Sequence, residues 1–356
     1  MKELVIDIFR AVICFTPSFL AAFLLSGLFS AWMAVRKLND PSFVENMTVR
    51  TGGVGILVGF LVSALVTLFF CKFYELTILC FFMQIIWLLI VTLPYYVLGL
   101  LDDIFHLTPV KKNFAFLFVV CLHYVPILFY YFFSTSYDRE SWVFHLMFLY
   151  PVIIFAFSKC YNALGRIGGH CEMAFLGLWL AFLFADTSSD DFSTEICFLL
   201  SSAVFGLFVW NLYFKPRIRL GNAGGLFLGS CAALLASWIV LDYDAGLCYG
   251  VCLFLTLLAF PIYDACSVVL LRSKSYRDLS KSWHDHFAHR LLRGGFPLWA
   301  VNLITFAAAG VLPAVVLRLP HEFVFVGPVV IWVTLFCVDF FAYYASDRPL
   351  KTDSAD

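Results

Sequence analysis

Long apolar runs separated by short polar loops dominate the chain. Eleven mostly apolar stretches occupy roughly 10–34, 53–70, 76–101, 114–134, 142–158, 173–185, 196–214, 224–241, 246–271, 298–317 and 323–345. A helix that spans a bilayer requires about 20 such residues. In lipid its backbone N–H and C=O groups must be satisfied internally, which selects helices over open strands. The pattern predicts an all-α, polytopic membrane bundle of about 11 transmembrane helices, forming one integral-membrane domain over 1–356. The stretch at 173–185 is the shortest and requires tilt or extension by its neighbours. The first stretch exceeds a signal-peptide core and lacks a small-residue cleavage site after it, so it reads as a retained helix.

Charge adds an orientation. Of the 23 Lys and Arg, 18 fall in the loops after the first, third, fifth, seventh and ninth stretches and in the C-terminal tail. Cytoplasmic loops carry the excess of Lys and Arg, so the N-terminus is expected outside and the C-terminus in the cytoplasm. Composition narrows the class further. The chain is 62% hydrophobic and 13% charged, against about 45–50% and about 25% for soluble domains. A net charge of −1 without a basic block gives no footprint for nucleic acid. Most of the 12 cysteines sit inside apolar stretches and show no CxxC spacing, which reads as small buried hydrophobes rather than a disulfide or zinc framework.

Polar residues are scarce, so their clustering on one predicted face is informative. Arg50-Thr-Gly-Gly53 opens the second stretch. Glycines at a helix start allow backbone N–H groups to approach an anion; an ordinary loop with a positive-inside arginine is the simpler reading. Asp102-Asp103 ends the third stretch, followed by Lys111-Lys112. Two carboxylates at a helix C-terminus oppose the macrodipole and repel each other. A divalent cation or a lysine must compensate them.

Three further loops follow. One runs from Asn162 to Glu172 through Gly168-Gly169. The next holds Asn211, Lys215, Arg217 and Arg219 before Gly221-Asn222-Ala-Gly-Gly225. Cations beside a glycine-rich turn that opens a helix suit a phosphate. The last, 272–297, places His284, His286 and His289 within six positions. An amphipathic interfacial helix with wet histidines competes with a ligand-binding role there, and the spacing lacks HExxH. Asp264, within an apolar stretch, requires a partner inside the bundle.

The order of these motifs resembles the polyprenyl-phosphate N-acetylhexosamine-1-phosphate transferases, over about residues 45–300. RTGG at 50–53 is similar to the family's RxGG, and LGLLDD at 98–103 to its GxxDD. Asn162 opens the loop where the family has NxxDGxDG. KPRIRLGNAGGLFLG after Asn211 is similar to its PARIFxGDxGSxxLG, Pro261-Ile-Tyr-Asp264 to its PxxD, and HFAHRLLRGGF to its HxHHRLxxxGF.

The resemblance implies transfer of an N-acetylhexosamine 1-phosphate from a UDP-sugar, such as UDP-N-acetylglucosamine, to undecaprenyl phosphate, with release of UMP. The product would start a cell-envelope glycan such as lipopolysaccharide at the bacterial inner (cytoplasmic) membrane, with the site loops cytoplasmic. Mg2+ is the implied cofactor, the lipid phosphate and UDP-sugar are the implied partners, and a homodimer is compatible with the family. The resemblance assigns Asp102, Asp103, His286 and His289 to catalysis and Asp102, Asp103 and Asn222 to the metal. Arg50, Lys111, Asn162, Asn211, Lys215, Arg217, Arg219 and Asp264 fall to substrate binding.

The departures are specific. Family acids are replaced by Gly168, Cys171 and Asn222, the GDxGS serine by Gly225 and one histidine by Ala288. Each lost carboxylate removes about 4 kcal/mol of attraction for a unit charge at 4 Å and an effective dielectric of about 20. Two readings therefore stand: a transferase with a weakened or altered centre, or a non-catalytic relative that binds or scaffolds at the membrane.

Overall fold

The protein is described by a computed structural model over residues 15–25, 27–28, 52–70, 75–133, 142–165, 168–184, 192–213, 218–242, 247–274 and 285–346. Every one of the eleven apolar stretches holds a helix. In chain order these are α1 (Phe15–Leu25), α2 (Gly52–Phe70), α3 (Glu75–Phe105), α4 (Pro109–Phe133), α5 (Trp142–Leu164), α6 (His170–Phe184), α7 (Phe192–Tyr213) and α8 (Gly221–Asp242). There follow α9 (Leu247–Leu257), α10 (Ala259–Lys274), α11 (Phe287–Arg293), α12 (Leu298–Phe306), α13 (Leu312–Arg318) and α14 (Gly327–Ser346).

Five described helical stretches are long and apolar enough to cross a membrane, and the α9–α10 pair makes a sixth. Helices α1, α5, α6 and α14 contribute shorter apolar spans of described residues. The chain is thus an all-helical integral membrane protein.

The ninth apolar stretch is not the continuous helix expected from its hydrophobicity. It breaks at Leu258, and α9 and α10 meet at 79°. Pro261 accounts for the break, because its nitrogen donates nothing to the Leu257 carbonyl and its ring crowds that turn. The tenth stretch is also irregular. A π-helical turn, Ala307–Val311, joins α12 to α13 and presses Gly310 against Gly177 of α6, where an added Cβ would lie 2.5 Å from the Gly177 carbonyl oxygen.

Helix α8 is the axis of the bundle: 89% of its span is buried, against 44–56% for the other long spans. It packs most extensively on α3 and α5. Its sequence explains this position, since Gly224, Gly225, Gly229, Ser230 and several alanines remove side-chain bulk along it. Without a hydrophobic drive between helices in lipid, such close backbone approach is what favours association. A Cβ on Gly99 of α3 would sit 2.5 Å from Ala223 Cα, and one on Gly229 would sit 2.4 Å from the Phe157 carbonyl oxygen of α5. The starts of α2 and α8 and the ends of α3 and α5 consequently meet at one level, which brings four motif loops together.

Candidate functional site

The N-terminus of α8 forms the floor of this meeting point. Asp103, in the last turn of α3, aims both carboxylate oxygens at it. Oδ1 accepts from Asn222 Nδ2 at 3.0 Å, and Oδ2 accepts from the Ala223 backbone N–H at 3.0 Å. A carboxylate is well placed there, because the first N–H groups of a helix lack internal partners and the dipole favours negative charge. Gly221, at φ +71°, makes the sharp entry that turns the chain into α8.

Asp102 points elsewhere, is buried, and pairs with Lys112 of α4. The adjacent carboxylates are therefore compensated separately, one by a lysine and one by a helix end and an amide. His106, at φ +49°, terminates α3 in the left-handed region, and Pro109 then opens α4, so that Lys112 can reach back across the turn.

The glycines of RTGG spend their N–H groups on packing, not on the anion contact that glycines at a helix start also allow. The N–H groups of Gly52 and Gly53 donate to the carbonyls of Arg219 (3.1 Å) and Leu220 (3.0 Å). Glycine is required because α2 crosses α8 at near backbone contact: a Cβ on Gly53 would lie 2.4 Å from Gly224 N. Asn211 likewise spends its amide locally. It donates to the Ile218 carbonyl at 2.8 Å and accepts from the Ile218 N–H at 2.7 Å, which staples the loop before α8. Arg219 is exposed and Lys111 is exposed; Arg50, Lys215 and Arg217 lie outside the described residues.

Asn162, at the end of α5, faces α8 across Gly225, whose added Cβ would meet the Asn162 Cα at 2.7 Å. A serine at 225, as in the motif this segment resembles, would bring its Cβ into collision with Asn162 here. Helix α5 also packs on α10, whose buried Asp264 anchors the last motif. Asp264 Oδ2 is 2.8 Å from His286 Nδ1, and Oδ1 accepts from the Phe287 N–H at 2.6 Å. The partner required of an intramembrane aspartate is thus His286. His289 lies one turn further along α11, partly exposed.

Two groups were not singled out by the sequence. Arg290 makes a bidentate pair with Asp339 of α14 (Nε–Oδ1 2.7 Å, Nη2–Oδ2 2.5 Å) and also reaches Ser267 and the Asp285 carbonyl. Tyr263 donates to the same Asp339 at 3.0 Å. The signal was available: Asp339 is a lone acid in an otherwise apolar stretch. His170, buried at the start of α6, shares a hydrogen bond with Thr305 at 2.8 Å. Its Nε2, like Asn302 Oδ1, is buried without a hydrogen-bond partner in the structure.

Among the described residues no three His, Cys, Asp or Glu gather to hold a metal ion. A magnesium ion does not require such a cage, since one or two carboxylates plus substrate phosphates suffice. Asp103 and the amide oxygen of Asn222 are oxygen donors of the right type at the start of α8, whereas Asp102 is turned to Lys112.

An all-helical membrane protein with one aspartate of an acidic pair set against a glycine-rich helix start is the class that fold and site define. Residues 84–240, which include the acidic pair, Asn162, Asn211 and most of α8, match glycosyl transferase family 4. Over that stretch the chain is similar to that family, which is the polyprenyl-phosphate hexosamine-1-phosphate transferase family. It is metal-dependent as a family. The chain is also 32% identical over 135 residues to a Streptomyces coelicolor protein named "Putative glycosyltransferase". That match covers 38% of this chain and 32% of the relative, about a third of its length.

Proposed function

We propose that this protein transfers an N-acetylhexosamine 1-phosphate from a UDP-sugar to undecaprenyl phosphate, releasing UMP and starting a lipid-linked envelope glycan. The observation that carries this reading is the meeting of Asp103 with Asn222 and Ala223 at the start of α8, where family motifs from distant parts of the chain converge. The membrane is the bacterial cytoplasmic membrane, and the site faces the cytoplasm, where the positive loops lie and UDP-sugars are made.

The chemistry follows from the substrates. An oxygen of the lipid phosphate attacks the β-phosphorus of the UDP-sugar; that P–O bond forms as the bond to the UMP oxygen breaks, and UMP leaves with the electron pair. The attacking phosphate has a second pKa of about 6, so it is ionised without a strong base. The obstacle is bringing two anions together. Arg219, Lys111 and, from the adjoining loops, Arg50, Lys215 and Arg217 supply positive charge. Asn162 orients the nucleotide-sugar, and Asp264 fixes the tautomer and direction of His286, which with His289 contacts the phosphates. Asp102, Asp103 and Asn222 would hold Mg2+, whose charge screens the reacting phosphates.

A second reading is favoured by one specific contact. The Asn222 amide already satisfies Asp103 as a donor, in the place where the family carries a third acid. A site balanced in this way, without a cation, suits a member that binds lipid phosphate but does not turn over.

The two readings separate on product analysis. Purified protein is incubated with undecaprenyl phosphate, Mg2+ and a panel of UDP-sugars, and the lipid fraction is examined by mass spectrometry. A lipid diphospho-N-acetylhexosamine supports the transferase. Bound but unmodified lipid phosphate with every sugar supports the second reading.

A further inference from the structure

Helix α11 is seven residues long, carries His289 and is entered from His286. Helices shorter than about 12–15 residues are marginal on local terms alone. His286, at the N-cap, makes no side-chain capping bond. The place of the two histidines is therefore set from outside, by two acids on neighbouring helices.

The first acid, Asp264 of α10, holds the entry: Oδ2 faces His286 Nδ1 at 2.8 Å and Oδ1 accepts from the Phe287 N–H at 2.6 Å. The second, Asp339 of α14, holds the last turn through Arg290. The guanidinium sets Nε and Nη2 on the two Asp339 oxygens (2.7 and 2.5 Å), a second Nη2 bond on Ser267 Oγ (2.8 Å), and Nη1 on the Asp285 carbonyl. The two side chains keep 9% and 14% exposure, so this is not a screened surface pair. Tyr263, next to Asp264, donates to Asp339 at 3.0 Å and so links the two anchors through adjacent residues of α10. Behind the turn, a Cβ on Gly294 would lie 2.8 Å from the Ala342 carbonyl oxygen, which sets α11 against the backbone of α14.

We propose that Arg290 and Asp339 are positioning residues that fix where His286 and His289 stand in the site, and that Arg290 does not itself hold a substrate phosphate. For its effect on rate the inference rests on the transferase reading above; for its geometry it does not. Two observations carry it. Arg290 stands among the motif histidines, yet four of its five N–H donors are committed inside the protein, and a bidentate carboxylate already meets its charge. Asp339 lies well beyond residues 84–240, the stretch that matches the family, so the site draws on a helix outside that stretch.

The test compares full-length wild type, Arg290→Lys, Asp339→Asn and the double variant in nanodiscs, by UMP release at varied UDP-N-acetylglucosamine, with rates taken per folded protein. Displaced histidines lower turnover rather than ground-state binding, so Arg290→Lys should reduce kcat about tenfold or more, and Asp339→Asn by a smaller factor, with KM within about threefold. Both changes break one link, so the double variant should fall no further than Arg290→Lys alone. Tyr263→Phe, which removes a single donor from Asp339, should give a mild loss of the same kind even where a harsher variant fails to fold. A KM rise confined to the Arg290 variants, losses that multiply, or unchanged kcat throughout would overturn the proposal. Diethyl pyrocarbonate labelling of His286 and His289, read by mass spectrometry, requires no turnover. It should rise in Asp339→Asn while His123, buried on α4, stays unlabelled; unchanged labelling of both motif histidines would overturn the positioning role. The expected labelling in a wild type and variant that release no UMP would remove the transferase reading and leave the geometry standing.

Discussion

Asn222 and Asp103, 119 positions apart in sequence, share a hydrogen bond of 3.0 Å from the Asn222 amide to Asp103 Oδ1. The neighbouring Ala223 N–H holds the second oxygen, also at 3.0 Å. The contact joins the end of α3 to the start of α8 through a direct donor–acceptor pair.

Replacing the amide by an acid tests this balance. Asn222→Asp sets two carboxylates against one another, where like charges about 4 Å apart repel by a few kcal/mol at an effective dielectric of about 20. The variant should melt several degrees below wild type in EDTA and recover on adding Mg2+, whereas wild type without substrate should respond little. If the enzyme reading holds, UMP release should rise or require less Mg2+. The check is thermal unfolding of both proteins across a Mg2+ series, followed by the activity assay.

The Asp102–Lys112 pair is mostly withdrawn from solvent, with side-chain exposures of 8% and 23%. Lys112→Met leaves a buried carboxylate without its cation and should destabilise by about 1–3 kcal/mol. Asp102→Asn in the same background should recover much of that loss. Non-additivity in a double-mutant cycle of denaturant unfolding measures the coupling directly.

Glycine contacts divide the positions that tolerate a methyl group from those that do not. Gly99→Ala would drive a Cβ to 2.5 Å from both Ala223 Cα and the Asn222 carbonyl oxygen, whereas nothing lies within 4 Å of a Cβ on Gly168. Overpacking of this kind costs about 1–3 kcal/mol. Gly99→Ala should therefore lower stability and weaken lipid-phosphate binding, and Gly168→Ala should do neither. Parallel melting curves decide the matter.

Arg290 and Asp339 form a fork-to-fork pair, supported by Tyr263 and Ser267. Lysine cannot reproduce two parallel donors. Arg290→Lys should loosen α11 from α14 and raise amide exchange across 286–293. Asp339→Asn, which keeps the shape but loses the charge, should show a smaller version of the same change. Hydrogen-exchange mass spectrometry reads this segment by segment.

Much of this architecture is legible in the sequence, because lipid leaves the backbone few choices. Each apolar stretch is helical, two of them with a break or a π turn, and the lone aspartate at 264 found the inward partner that its burial demanded. The break at Leu258 was harder to read: hydrophobicity runs through it, and only the missing N–H of Pro261 marks it. Gly52 and Gly53 show a different limit. Glycine at a helix start suits either an anion or a crossing helix, and only the packing of α2 on α8 selects the second. The amide of Asn211 is similar, since its partner Ile218 is seven residues away and invisible to a motif. The Asp103–Asn222 contact was accessible through motif order alone, while the Arg290–Asp339 pair offered only the oddity of one acid among apolar neighbours.

The most direct test of the proposed transfer is UMP release from UDP-N-acetylglucosamine by purified wild type and Asp103→Asn, with undecaprenyl phosphate and Mg2+. Turnover by wild type, reduced at least a hundredfold in the variant while lipid-phosphate binding is kept, is the predicted result. Equal turnover by both proteins, or none by wild type despite bound lipid phosphate, would contradict it.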